Sequence, residues 1–266
     1  MNRRTFLAGL FASTAVGCQS STSSTQTGTR HLRVLSYNLH HGEGLDGRVD
    51  LERISRAIRN AKADFVALQE VDRKAERTGD VDQASEYVRL TQMHGWYGAA
   101  MPFQGGEYGQ VILSRWPLIE PRVVRLPGTK GREPRIATTA LVDVPGFGRV
   151  RFVCLHLDAT REDADRWEQA GALLKEFPSN GIPTLLAGDF NATPESRVMN
   201  RMLSSETGWA DTAGANAALT NPADVPKVRI DYVLAAPRGK WRVLKSTVIP
   251  EAVASDHRPL LVVLGY

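Results

Sequence analysis

Short apolar or alternating runs recur along the chain at Leu32–Tyr37, Phe65–Leu68, Val111–Leu113, Ile136–Val142, Val150–Leu157, Thr184–Ala187, Ile230–Ala235, Trp241–Val248 and Leu260–Leu264. Runs of this length, rich in branched and aromatic residues and broken by polar or turn-forming residues, predict strands. Helical spacing appears between some of them. Leu51, Ile54 and Ile58 mark one apolar face behind an Asp50 cap, and Trp167, Ala170, Leu173, Leu174 and Phe177 mark a second. A third helix is predicted to start at Thr193-Pro194, a cap followed by proline at the first helical position, with Val198, Met202 and Leu203 inward. Many strands with few helices predict an α+β fold, two sheets packed face to face with helices on the outer faces. No internal repeat or second domain boundary interrupts residues 31–266, so one domain is predicted there.

The first thirty residues follow a different pattern. Residues 1–17 carry a basic tip, Arg3-Arg4, and then an apolar run of Ala, Gly, Leu, Phe and Val, too short for a permanent membrane span. This predicts a signal peptide. Arg3-Arg4-Thr5-Phe6-Leu7 resembles a twin-arginine export signal, and Ala15-Val16-Gly17-Cys18 resembles a bacterial lipobox with Ala15 where leucine is usual. Residues 18–30 are rich in Ser, Thr and Gln and read as a flexible tether. The leader therefore predicts an exported bacterial protein, periplasmic or held at the membrane by a lipid on Cys18. Chance placement of Cys18 near an ordinary cleavage site is the alternative, and the twin-arginine and general export routes both stay open.

Composition narrows the picture only modestly. Of 266 residues 42% are hydrophobic and 23% charged, which excludes disorder for the body of the chain. The net charge of +4 includes Arg3 and Arg4; beyond the leader 31 basic side chains face 29 acidic ones. That is a weak footprint for a duplex-binding protein. The two cysteines, Cys18 and Cys154, sit in unrelated contexts, so a disulfide framework is not expected, and Cys154 reads as a small buried side chain.

The chemically informative residues fall where apolar runs end. Asn38 closes the first, Glu70 the second, His156 the run containing Phe152, and Asp189 the run Leu185–Gly188. Strand ends on one rim give rigid mounting to a site whose loops can vary. The segments Ser36-Tyr37-Asn38, Leu68-Gln69-Glu70-Val71-Asp72, Ile112-Leu113-Ser114-Arg115, Leu155-His156-Leu157, Gly188-Asp189-Phe190-Asn191-Ala192-Thr193-Pro194, Arg229-Ile230-Asp231-Tyr232-Val233 and Ser255-Asp256-His257-Arg258-Pro259 together resemble the endonuclease/exonuclease/phosphatase superfamily. The resemblance runs from Arg33 to Tyr266. With Asn38-Leu39-His40-His41-Gly42-Glu43-Gly44 and Tyr108-Gly109-Gln110, it extends to a short, exported bacterial subgroup.

The resemblance implies a DNase I-like four-layered α/β sandwich and a divalent-metal-dependent phosphoesterase, a phosphodiesterase first of all, using Mg²⁺ or Mn²⁺. Glu70 would be the principal metal ligand, with Asn38 and Asp256 close to the ion or its waters, in keeping with the preference of a hard cation for few carboxylates plus water and phosphate oxygens. Asp189 would activate or position the attacking water and Asn191 would hold it; a plain turn with a helix cap is the competing reading of that segment. Asp231 and His257 resemble a carboxylate–imidazole pair, and His156 a second phosphate-facing histidine. His40, His41, Tyr108 and Arg135 are candidate substrate contacts, with a polar rim loop the equal alternative for the two histidines and an ordinary solvated arginine for Arg135. The substrate is a phosphate ester, in a lipid headgroup, a nucleic acid or a small molecule, and the protein is expected to be a monomer. A secreted nuclease and a non-catalytic lipoprotein that binds phosphorylated ligands are the alternatives. Lipidation is checked by fractionation: the wild type partitions with membranes and a Cys18→Ser variant is released, whereas equal partitioning contradicts it.

Overall fold

Alternation along the strands decides the architecture. The computed structural model describes residues 31–214 and 217–265, so the leader, Cys18 and the tether lie outside the described residues. One six-stranded sheet contains β1 (His31–Asn38), β2 (Phe65–Arg73), β3 (His94–Phe103), β4 (Gly106–Ser114), β11 (Arg242–Val248) and β12 (Leu260–Gly265), in the order β11-β12-β1-β2-β4-β3. The other contains β5 (Ile119–Arg125), β6 (Ile136–Val144), β7 (Gly148–His156), β8 (Thr184–Asp189), β9 (Ala210–Asp211) and β10 (Asp231–Ala236), in the order β5-β6-β7-β8-β10-β9. Each sheet is antiparallel except for one central parallel pair, β1 with β2 and β7 with β8. Parallel neighbours need a crossover, and α1 (Leu51–Ala61) and α3 (Ala164–Glu176) lie within these two connections.

Inward residues of both sheets form the central core. Val34, Phe65, Ala67 and Ile112 from one sheet meet Phe152, Cys154, Leu185, Ala187 and Val233 from the other, and Phe65 stacks on Phe152 with ring centroids 4.7 Å apart. Alternate residues face the helices. Leu35, Tyr37, Val66 and Leu68 pack with Ile54 and Ile58 of α1 and Tyr87 of α2 (Gln83–Thr91). Val153, Leu186 and Tyr232 pack with Leu173 of α3 and Met202 of α4 (Arg197–Met202). The result is four layers, helix, sheet, sheet, helix, a DNase I-like sandwich. Cys154 is fully buried, receives a hydrogen bond from Gln69 Nε2 at 3.2 Å, and has its thiol pKa pushed up to about 12 by burial, in keeping with a structural residue.

All nine runs read from the sequence fall on strands, with Leu157, Ile230 and Trp241 one residue beyond the strand ends, and the Asp50 cap is real, its Oδ1 accepting from Arg53 N at 2.8 Å. The third helix needs a correction. It starts at Arg197 and is capped by Ser196, whose side chain accepts from Met199 N, while Thr193-Pro194 forms the turn before it. Three strands without a clear sequence signal, β3, β5 and the two-residue β9, lie at sheet edges, where β3 carries Gly95, Gly98 and Pro102 and β5 carries Pro121.

Both parallel pairs end at the same rim, and in α/β sheets the carboxyl ends of parallel strands are where ligands bind. His156 and Asp189 are register partners at the ends of β7 and β8. Gly188, just before Asp189, lets two backbones meet closely: a Cβ there would lie 2.0 Å from Leu155 O. A Gly188→Ala variant is accordingly expected to lose about 1–3 kcal/mol, read as a lower urea midpoint at constant m value.

Candidate active site

Glu70 reaches the site because β2 is interrupted. Leu68 pairs with Val111 and Val71 with Gly109, so Gln69 and Glu70 together oppose Gln110, a β-bulge. Phe65, Ala67 and Gln69 face the opposite sheet, whereas Val66, Leu68 and Val71 face the helices. In a regular strand Glu70 would follow Leu68 toward that apolar layer. The bulge, with Glu70 at φ 58°, instead turns its carboxylate to the rim, where Asn38 Nδ2 donates to Oε1 at 2.9 Å. Left-handed backbone at a residue other than glycine costs about 1–3 kcal/mol; the geometry of Glu70 is what that strain secures.

The same Asn38 amide donates to Asp189 Oδ2 at 3.1 Å and so ties the two sheets together. Asn38 is itself fixed: its Oδ1 accepts from His40 N, and its carbonyl accepts from Ser255 Oγ at 2.7 Å. Asp189 Oδ1 accepts from Asn191 N at 2.8 Å, and Asn191 Nδ2 donates to Leu157 O at 3.1 Å. Asn191 has a φ of 48°, so the segment is a tight turn closed by Asp189, and both side chains line one cleft. His156 Nε2 and His257 Nε2 stand 3.5 and 3.7 Å from Asp189 Oδ2. His257 Nδ1 lies 2.9 Å from Asp231 Oδ2, both side chains being buried.

These contacts divide the charge states. Burial pushes the Asp189 carboxyl well above the usual carboxylate range, and the His257 cation only partly counters it. For His257 burial opposes the charge, yet the carboxylates of Asp231 and Asp189 outweigh it and hold the imidazolium well above its ordinary value. His156 goes the other way: burial, then the cations of Arg135 and His257, keep it neutral. Burial also raises the Glu70 carboxyl, with Asn38 opposing and Asp256 reinforcing the shift.

A cleft of about 340 Å³ opens over this network. It is lined by Glu70, His156, Asp189, Asn191, Asp256 and His257, and also by Tyr108 and Arg135. Asn38 and Asp231 act from behind, through Glu70, Asp189 and His257. His40 and His41 do not line the cleft; they turn back on Glu43, His40 Nδ1 to its carbonyl and His41 Nε2 to its carboxylate, each at 3.3 Å. Arg77, Met101, Phe103 and Glu133, which carry no motif, do line it.

Two groups of donors bear on metal binding. Asp189, Asp231 and His257 offer ligand atoms within 4.8 Å of one another, but His257 Nδ1 and Asp231 Oδ2 already pair at 2.9 Å, a contact that ligation through those atoms would break. Glu70 and Asp256 line the cleft together and offer carboxylate oxygens, while Asn38 orients Glu70 from behind through its Nδ2, and Glu70 is a carboxylate whose burial no cation offsets by direct contact among the described residues. That set fits a hard divalent ion.

A two-sheet sandwich whose strand ends bring carboxylates, an amide and two imidazoles into one small cleft defines a phosphoesterase. Over residues 35–257 the chain matches the model of the endonuclease/exonuclease/phosphatase family, and it belongs to that family. The crystal structure of an endonuclease/exonuclease/phosphatase from Beutenbergia cavernae DSM 12333 is 28% identical and superimposes with a TM-score of 0.75, covering 89% of this chain and 72% of that one. The mannosyl-6-phosphatase of Bacteroides thetaiotaomicron VPI-5482 shares the fold at 19% identity and TM-score 0.73, over 88% of this chain and 100% of that one. The human Nocturnin catalytic domain does so at 18% identity and TM-score 0.68, over 88% and 94%. No curated protein matches the chain significantly.

Because the folded state raises the Glu70 pKa, ionising Glu70 costs stability increasingly as pH rises above the ordinary carboxylate range. A Glu70→Gln variant keeps the Asn38 contact without the charge. In metal-free buffer at pH 7.5 it is expected to melt higher than the wild type, by roughly 2–4 °C per kcal/mol recovered, and calorimetry showing an equal or lower Tm contradicts this.

Proposed function

We propose that the chain is an exported, divalent-metal-dependent phosphoesterase that hydrolyses a small phosphate ester by in-line attack of water on phosphorus. The observation that carries the reading is the single Asp189 carboxylate, buried between a neutral and a cationic imidazole and linked through Asn38 to Glu70. A carboxyl raised by burial toward neutral pH suits a base that takes a proton from water and returns it. Asn191, whose Oδ1 has no protein partner among the described residues, offers an acceptor to the same water. His257, held cationic by Asp231, neutralises charge as it develops on the phosphoryl oxygens. His156, kept neutral, donates a hydrogen bond to a phosphoryl or leaving oxygen. Glu70, oriented by Asn38 and with Asp256 in the same cleft, would hold Mg²⁺ or Mn²⁺, which when bound would supply Lewis-acid polarisation of the phosphate. Arg135, buried with its Nε unpartnered, contributes a donor for a phosphate oxygen.

A small ester is favoured over a nucleic acid by the pairing of the cleft cations. Arg77 is bound to Asp72 and Arg135 to Glu133, so little positive field remains for a polyanion. The likeness to a mannosyl-6-phosphatase supports a small-molecule monoester, while the sequence motifs favour a diester. The leader supports export, and Cys18 a lipid tether that would set the enzyme beside headgroup esters at the membrane.

The test is a panel with Mg²⁺ or Mn²⁺ spanning bis-(p-nitrophenyl) phosphate, phosphomonoesters, phospholipid vesicles and plasmid DNA. Asp189→Asn is expected to lower kcat by about 10²–10⁴ without lowering Tm. Full activity of that variant overturns the assignment of Asp189, faster turnover of DNA than of small esters favours the nuclease, and a silent wild type favours the phospholigand-binding lipoprotein.

A further inference from the structure

The cleft has a second wall that the catalytic residues do not use. Arg77 lies in the turn after β2, and its guanidinium is locked on one edge by Asp72, Nε to Oδ2 at 2.7 Å and Nη2 to Oδ1 at 2.9 Å. The Asp72 side chain has no exposure at all. One face of the guanidinium lies over Phe103, 4.5 Å from the ring centroid, with Tyr108 at 5.7 Å. Nη1 has no protein partner among the described residues, and Arg77 lines the same cleft as the catalytic centre. Holding an arginine on two sides leaves one directional donor edge with little rotamer freedom to lose on binding.

Glu133 lines the same cleft and binds Arg135 Nη1 through Oε1 at 2.8 Å, and its Oε2 is left as an acceptor. Met101 and Phe103 add apolar surface to the lining. The wall thus combines fixed donors, a carboxylate acceptor and an apolar patch, and its charges cancel in pairs. A second phosphate on the substrate would meet Glu133 and an arginine already neutralised by Asp72. An aryl leaving group would desolvate Nη1 and Oε2 without pairing them, which costs free energy. A hydroxylated ring satisfies all three features, since hydroxyls both donate and accept and the ring C–H groups tolerate apolar contact.

We propose that Arg77, with Phe103 and Glu133, forms a leaving-group subsite for a neutral cyclic polyol, and that Arg77 is the residue that selects polyol phosphates over other esters. The proposal rests on the phosphoesterase reading and adds the chemical class of the alcohol released. Arg77 acts on binding and orientation of the leaving group and not on the reacting atoms.

The experiment compares kcat/KM for hexose 6-phosphates and myo-inositol 1-phosphate with that for p-nitrophenyl phosphate and for a hexose 1,6-bisphosphate, using the full chain with Mn²⁺. Arg77→Lys keeps a cation against buried Asp72 but loses the fork; Phe103→Ala, at a half-buried position, leaves the Arg77–Asp72 pair whole. The wild type is expected to prefer at least one polyol phosphate over the aryl ester, and each variant to lower that preference about tenfold, mostly through KM, as loss of a few directional contacts predicts. Proportional losses on all esters in both variants, or a wild-type preference for the bisphosphate or the aryl ester, overturn the subsite while leaving the phosphoesterase reading intact. Absence of turnover on every ester overturns both.

Discussion

Asp189 has to be a carboxylate buried where two sheets meet, and most of the site follows from what that demands. A lone buried anion is costly; here Asn38 reaches it from the other sheet, Asn191 N closes a turn on it, and His257 supplies a positive charge kept in place by Asp231. The supporting groups come from both halves of the sandwich, so the network exists only when the inter-sheet core around Phe65 and Phe152 has packed. Fold stability and the protonation states of the site are therefore one problem. The chain accepts strain at Glu70 and close backbone approach at Gly188 to bring the groups together.

Much of this was legible in the sequence. Apolar strands have to stop at polar residues, and Asn38, His156 and Asp189 each stand at such a stop; Ser255-Asp256-His257 lies just before β12, on the rim where β1 ends. The Asp231–His257 pair, implied by resemblance, has the contact that a fixed imidazole requires. What stayed hidden depends on distant contacts. The bulge at Gln69-Glu70 carries no glycine to announce it, because the left-handed residue is itself a functional candidate. α2 escaped because its most buried polar residue, Gln83, faces inward to join Asp72 N and His41 O, which spoils its apolar stripe.

His40 and His41 follow the rim-loop alternative. Two adjacent histidines after the strand that ends in Asn38 look chemical, yet Glu43, three and two residues on, holds one through its backbone and the other through its carboxylate. Arg77 had no visible motif, and its place in the cleft arises from Asp72 on the β2 end and Phe103 on the β3–β4 hairpin, contacts separated by up to 26 positions. Sequence reasoning located the carboxylates and imidazoles of the cleft more readily than Arg77 and Phe103, because the former sit at strand ends and the latter on the hairpin and turn around them.

The most direct test of this division of roles is an anomalous-diffraction map from crystals soaked in Mn²⁺. The account predicts a peak bound by the Glu70 carboxylate at about 2.0–2.3 Å, on the side of the cleft-lining Asp256, with the Asn38–Glu70 and Asp231–His257 hydrogen bonds unbroken. A peak held instead by Asp189, Asp231 and His257, with the imidazole turned from hydrogen-bond donor to ligand, would contradict it.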